Sequence, residues 1–340
     1  MTTLFRTPLS LLAAFATVAS LAGCGNEEPD PNQLIREAFS ASKAIKSGRL
    51  DAKVDLDARG LERSGGPLSL KLAGPFQSHG RGKLPDFELQ VSLGGPQLDV
   101  TVGLVSAGGR GFFEVLSSAY EVPSELFGEL RKGFEGDSGA SEQPTLATLG
   151  IDPTKWLKGA RLEGTTTVDG TETVHVGADV DVPAFLKDLD QLLVRAASVG
   201  GGLAGLPSRL TGKQRAVIAD SVTRASVDVY SGKDDRILRR LTFALAFDVP
   251  AARRVDAGGL ENGKVAVDLQ FSEVNEPQEI AVPSNPKPFT DLVALLQRLG
   301  LGDAVGAGGA PGGLDAYVDC LTDAAGDPAR ATKCAELLSR

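Results

Sequence analysis

The chain has 340 residues, 42% of them hydrophobic, with 35 Lys and Arg against 44 Asp and Glu and a formal charge of −9. Such a composition is globular and excludes a disordered, collagenous or multi-span membrane chain. Net acidity with two His, three Cys and one Trp also argues against nucleic-acid binding through a basic face and against a Cys/His metal centre.

Arg6 is the one charge before Cys24, and residues 8–22 are apolar or small. This is the pattern of an export signal, too short for a membrane-spanning helix of about 20 residues. It ends in Leu21-Ala22-Gly23-Cys24, which has the form of a bacterial lipobox: a branched residue, two small ones, then the Cys whose thiol takes diacylglycerol. The expectation is a signal peptide at 1–23, lipidation of Cys24 and a short solvated tether over 24–33. Diacylglycerol plus an N-acyl chain exceeds the weak hold of one chain, so the exported protein is expected on the outer face of the bacterial cell membrane, tethered to it rather than spanning it.

Asp30-Pro31 opens a helix whose apolar stripe is Leu34, Ile35, Ala38, Phe39, Ser42 and Ile45. The period then changes to two, with Leu50, Ala52, Val54, Leu56 and Ala58 alternating with Asp51, Lys53, Asp55, Asp57 and Arg59. This predicts a strand with one wet face. The alternation returns at Leu89/Val91/Leu93, Leu98/Val100/Val102/Leu104, Val174/Val176/Ala178/Val180/Val182, Val227/Val229, Leu241/Phe243/Leu245/Phe247/Val249 and Val265/Val267/Leu269/Phe271. Antiparallel pairing follows, because parallel strands buried on both faces read as continuous apolar runs. Gly94-Gly95-Pro96 and Gly258-Gly259 supply turns.

Helices are predicted at 124–134, at 152–157, at 183–199 with Phe185, Leu186, Leu189, Leu192 and Leu193 inward, and from the Thr211/Gln214 capping box to 221. Residues 136–143 read as a mobile polar loop and 302–313 as a Gly-rich linker. Once Cys24 is acylated, Cys320 and Cys334 remain as an even pair in an oxidising compartment, so a disulfide is the economical assignment. A catalytic or metal role for them is the poorer one, with no His nearby. Asp327-Pro328 between them has the form of a helix start, which suggests a helical hairpin stapled across its turn.

No pattern points to catalysis. His79 and His175 read as surface residues, and there is no Gly-x-Ser-x-Gly nucleophile motif. Gly200, Gly202 and Gly205 match a dinucleotide fingerprint only literally, since they follow a predicted helix instead of a strand. Gly212-Lys213 lacks the rest of a P-loop, and Asp51, Asp55 and Asp57 miss the spacing of a calcium loop. No catalytic residue, cofactor, metal or nucleic-acid partner is expected.

The order of elements over residues 34–283 resembles the LppX/LprG family of envelope lipoproteins, related in fold to the lipoprotein carrier LolA. The resemblance rests on Gly111-Phe112-Phe113-Glu114-Val115 leading to Tyr120-Glu121-Val122-Pro123, on Gly150-Ile151-Asp152-Pro153-Thr154-Lys155-Trp156-Leu157, on Thr167 to His175 and Val176, and on Val229-Tyr230 leading to Ile237-Leu238-Arg239-Arg240-Leu241. Tyr230, where the family pattern has Trp, and the tail beyond Pro286 depart from it.

The resemblance implies an α+β fold: a strongly curved antiparallel sheet, an open half-barrel, with helices on its concave face and a small disulfide-stapled helical tail. The lipid-binding domain would span 34–286, and 287–340 would hold a helix, the linker and the hairpin. It further implies an apolar cavity that binds or shuttles a lipid or lipoglycan. The lining candidates are Val54, Leu56, Leu89, Val91, Val100, Val102, Val176, Leu189, Leu193, Phe243, Leu245, Val267 and Leu269. The alternative is an adaptor or envelope-stress sensor that grips a membrane protein partner, because LolA-like folds also serve that role.

Overall fold

The Asp30-Pro31 pair starts the fold as its chemistry requires. The Asp30 carboxylate accepts the Asn32 N–H at 2.9 Å and Pro31 takes the first turn of α1 (Pro31–Ala38), which buries Leu34, Ile35 and Ala38. The helix is shorter than its apolar stripe predicts. The Ser40 hydroxyl donates to the Glu37 carbonyl at 2.7 Å, a local bond that competes with helix continuation, and the chain passes into a 3₁₀ turn at Ala41–Lys43.

This computed structural model describes residues 29–60, 66–80, 83–96, 98–137, 153–198, 209–298 and the cysteines 320 and 334. The export signal with Cys24, the expected loop beyond 137, the Gly200 to Gly205 stretch, the 302–313 linker and Asp327-Pro328 lie outside the described residues.

Six strands follow as a meander: β1 (Ser47–Arg59), β2 (Leu68–Gln77), β3 (Asp86–Gly95), β4 (Leu98–Ala107), β5 (Arg110–Val115) and β6 (Ser118–Glu121). Then come α2 (Ser124–Asp137), β7 (Leu157–Val168), β8 (Thr171–Val180), α3 (Val182–Ser198) and α4 (Gly212–Ser221). The described chain continues through β9 (Val222–Gly232), β10 (Leu238–Asp248), β11 (Asn262–Ser272), the two-residue β12 (Lys287–Pro288) and α5 (Phe289–Arg298). α4 opens with the expected capping box, in which Thr211 and Gln214 each accept the other's backbone N–H. The helix expected at 152–157 is instead a 3₁₀ turn at Pro153–Lys155 that delivers Leu157 directly into β7.

Among the described residues, twelve strands form one unclosed sheet in the order β12-β6-β5-β4-β3-β2-β1-β11-β10-β9-β8-β7. Every pairing is antiparallel except the short parallel contact of β12 with β6. β1 is the seam: it pairs with β2 on one side and β11 on the other. The sheet bends into an open half-barrel, helped by register shifts in β7 and β10, because bulges add local twist and bend a strand.

Alternation sorts the two faces. One row, read from strand to strand, is Val176, Val229, Leu241, Leu269, Ala52, Leu72, Val91 and Val102. The next is Ala178, Val227, Phe243, Val267, Val54, Leu70, Leu93 and Val100. These rows make the concave, apolar face, while Asp51, Lys53, Asp55, Asp57, Arg240 and Asp268 fall on the other. Residues 273–286 run along one end of the strands: Asn275 N–H reaches the Ser47 carbonyl, Gln278 N–H reaches Gln77 Oε1, and Ile280 covers Val105, Ala107 and Phe112.

Candidate functional site

Helices cover the concave face at both ends. Over β7 to β10, α1 and α4 press Leu34, Ile35, Ala38 and Val217 onto Val174, Val176, Val227, Val229, Leu241, Phe243 and Leu245. α3 and α4 join through Leu186, Leu193, Leu210 and Ile218, with Leu189 partly buried against them. Asp190 fastens this pair by accepting from Leu210 N–H at 2.6 Å and from Arg215 at 2.7 Å. Over β5 and β6, α2 and α5 contribute Leu126, Phe127, Phe289, Leu292 and Val293 around Tyr120. The Cys320–Cys334 disulfide, with 5.6 Å between Cα atoms, docks on this second cluster, and Cys334 is fully buried there.

Between the two clusters the floor is different. Leu50, Ala52, Val54 and Leu56 of β1, Leu68, Leu70 and Leu72 of β2, Leu89, Val91 and Leu93 of β3, and Val100, Val102 and Leu104 of β4 all stay partly exposed. None of them belongs to a packed cluster of the described residues. Val267 and Leu269 of β11 mark the transition, partly buried against the first cluster. A cavity of about 420 Å³, open to solvent, lies at the ends of β1, β2 and β11 beyond the floor; it is lined by Leu56, Pro67 and Leu68 together with Asp55, Asp57, Ser69 and Lys264, whose register puts them on the opposite face.

The lining candidates therefore separate. Val54, Leu56, Leu89, Val91, Val100 and Val102 share the uncovered floor, with Val267 and Leu269 at its margin. Val176, Phe243 and Leu245 sit under helices within packed core, and Leu189 and Leu193 belong to the α3–α4 contact. Floor residues that alternation did not assign to a strand are Leu68, Leu70 and Leu72 of β2. Their signal is present in the sequence, but Gly74-Pro75 cuts it short.

The margin of the floor is aromatic. Trp156, 4% exposed, meets Phe185 and Phe243 edge-on at centroid distances of 5.4 and 6.3 Å, and those two rings stack at 4.7 Å. Among the described residues, two buried side-chain polar atoms lack a hydrogen-bond partner: Trp156 Nε1 and Arg236 Nη1 in the β9–β10 turn.

On the opposite face each histidine has a carboxylate, His79 with Asp86 and His175 with Asp228, both at 2.9 Å. His175 also stacks on Tyr230 at 4.4 Å, Thr242 donates to Asp228, and Arg240 holds Asp268 by two bonds. Burial, and then the nearby Asp228 charge, hold the Tyr230 phenol above its ordinary pKa. Among the described residues no group of three or more His, Cys, Asp or Glu is placed to hold a metal ion, and no helix is long and apolar enough to cross a membrane.

The chain is similar in structure to LppX-type and LolA-like proteins. Lipoprotein LppX of Mycobacterium tuberculosis matches at a TM-score of 0.37 and 13% identity, over 75% of this chain and all of that one. LprF of Mycobacterium bovis matches at 0.38 and 12%, over 74% and 96%. A LolA superfamily protein of Nitrosomonas europaea matches at 0.19 and 7%, over 75% and 96%. No protein-family model matches the sequence, and a search of the curated proteins finds no match.

Proposed function

We propose that the protein binds a lipid by laying its acyl chains on the uncovered floor of β11 and β1 to β4, and that it exchanges this lipid with the membrane to which Cys24 anchors it. In this proposal residues 1–23 are removed on export, 24–33 form the tether, 34–286 carry the floor, and 287–340 form the C-terminal tail.

One observation carries the proposal. Valine and leucine side chains on five adjacent strands stay partly exposed, side by side, between two regions where the same face is packed under helices. A contiguous apolar surface left partly exposed in this way is the kind that serves to bind something. Acyl chains suit it because the floor offers no polar atoms to satisfy, and moving a chain from bilayer to floor exchanges one apolar setting for another. The transfer is then close to balanced in either direction, which is what a shuttle requires.

The test is native mass spectrometry of the exported chain carrying Cys24→Ser, followed by solvent extraction. Stoichiometric lipid is the expected result. A folded, empty protein that also refuses added phospholipid would overturn the proposal and favour an adaptor that binds a protein partner.

A further inference from the structure

We infer that the indole N–H of Trp156 is the hydrogen-bond donor for an acyl carbonyl of the bound lipid, an ester in a glycerolipid. The inference rests on the lipid-binding proposal and deepens it from an apolar chain to a chain with a polar group at a defined place.

The physical basis is an unsatisfied donor. Trp156 is 4% exposed and its Nε1 has no partner among the described residues, whereas buried indole N–H groups are ordinarily paired. Leaving such a donor unmet in dry surroundings gives up its hydrogen bond to water with nothing in return. Phenylalanine would fill much of the same space without that cost. The Trp156 carbonyl accepts the Asp181 N–H at 2.7 Å, and the ring is packed against Phe185 and Phe243.

The position fits a carbonyl whose chain lies on the floor. Trp156 packs on Phe243, and Phe243, at the packed end of the floor, belongs to the row that continues through Val267, Val54, Leu70, Leu93 and Val100. Those six strands span about 24 Å at the usual spacing between neighbours, the reach of a long acyl chain. Phe185, the partly exposed ring of the aromatic trio, is the one that must turn aside for the carbonyl to enter.

Trp156 is the single tryptophan of the chain, so the full protein gives one indole N–H resonance. The experiment titrates it with monopalmitoylglycerol and, separately, with the ether analogue 1-O-hexadecylglycerol, following the indole and the floor methyl resonances. The expected result is that both ligands shift the methyls and the ester alone moves the indole proton downfield. Trp156→Phe should weaken the ester about 5-fold, within the range of one net hydrogen bond, and leave the ether unchanged.

Methyl shifts with an indole that ignores the ester, or that shows contact only with a trapped water, would overturn this inference and leave the lipid-binding proposal standing. Equal weakening of both ligands by Trp156→Phe would likewise overturn it, because that is a packing effect. If neither ligand shifts the methyls, the underlying proposal itself fails.

Discussion

Gly74 lies in the middle of β2, opposite Leu50, with φ at +151°. A Cβ there would run into the Glu88 carbonyl oxygen of the adjacent strand, so the residue is glycine because β3 passes too close for anything else. Gly128, in α2, has open space around its missing Cβ. Gly74→Ala should therefore destabilise by about 3 kcal/mol or more, while Gly128→Ala should stabilise by roughly 0.5–1 kcal/mol through helix propensity alone. Urea midpoints of the two variants check both signs.

Asp181 is a second informative residue. Its carbonyl accepts from Phe185 N–H and its carboxylate from Ala184 N–H at 3.3 Å, with Lys158 at 2.8 Å. The Lys158 bond first, then the Ala184 bond, hold its pKa below the ordinary value. A carboxylate depressed in the folded state stabilises above its unfolded pKa and loses that contribution as pH falls through the folded one. Asp181→Ala should cost about 1 kcal/mol near neutrality, as for a lost helix cap, and the gap to wild type should close below about pH 4. A series of thermal melts across pH reads this directly; a gap that widens in acid would contradict it.

Among the elements, β1, β4, β8, β10 and β11 were legible because each alternates cleanly between apolar and polar residues. The Thr211/Gln214 box gave the start of α4 to the residue. β7 was not legible as a strand by the same rule. Its sequence, Leu157 to Val168, has few apolar residues because it is an edge strand, partly covered at Leu157, Ala160 and Leu162 and buried only at Val168. The short stretch before it contains Pro153 and the turn-forming Asp152, which imitate a helix start; tertiary packing of Trp156 ends that turn after three residues.

The tail behaves as part of an element too. Cys320 and Cys334, 14 positions apart in sequence, dock against α2, α5 and β6. Replacing both with Ser should lower stability by about 3 kcal/mol in the loop-entropy account. Hydrogen exchange should quicken in α2 and α5 and stay unchanged in β8 to β10. Uniform loss of protection would mean that the two helix-covered ends are not separable.

At the scale of the whole molecule, Val54 and Val227 show what alternation cannot reveal. Both are valines in one concave row, two strands to either side of which the pattern is the same. Val227 is 1% exposed under helices, and Val54 is partly open. The difference comes from where α1, α3 and α4 settle, which depends on contacts distant in the chain and leaves no trace in a strand's own sequence. The aromatic margin was hidden for the same reason, since Trp156, Phe185 and Phe243 come from three separate elements.

Val227→Asp should leave the protein unfolded, because a buried unpaired charge costs several kcal/mol. Val54→Asp should shift the denaturation midpoint by about 1 kcal/mol or less and abolish lipid loading in native mass spectra. Full lipid occupancy in folded Val54→Asp would remove the floor from the function.

The two ends of the sheet complete the picture. On one side Pro288, which has no N–H to offer, closes β12 after two residues. On the other, β7 carries two register shifts, left-handed Gly159 and Gly164, and the charges of Lys158, Arg161 and Glu163. Neither rim can template another strand. A protein that displays a partly exposed apolar face is in standing danger of polymerising, and rims of this kind steer self-association away from edge-to-edge pairing, so that a sticky face does not become fibre growth.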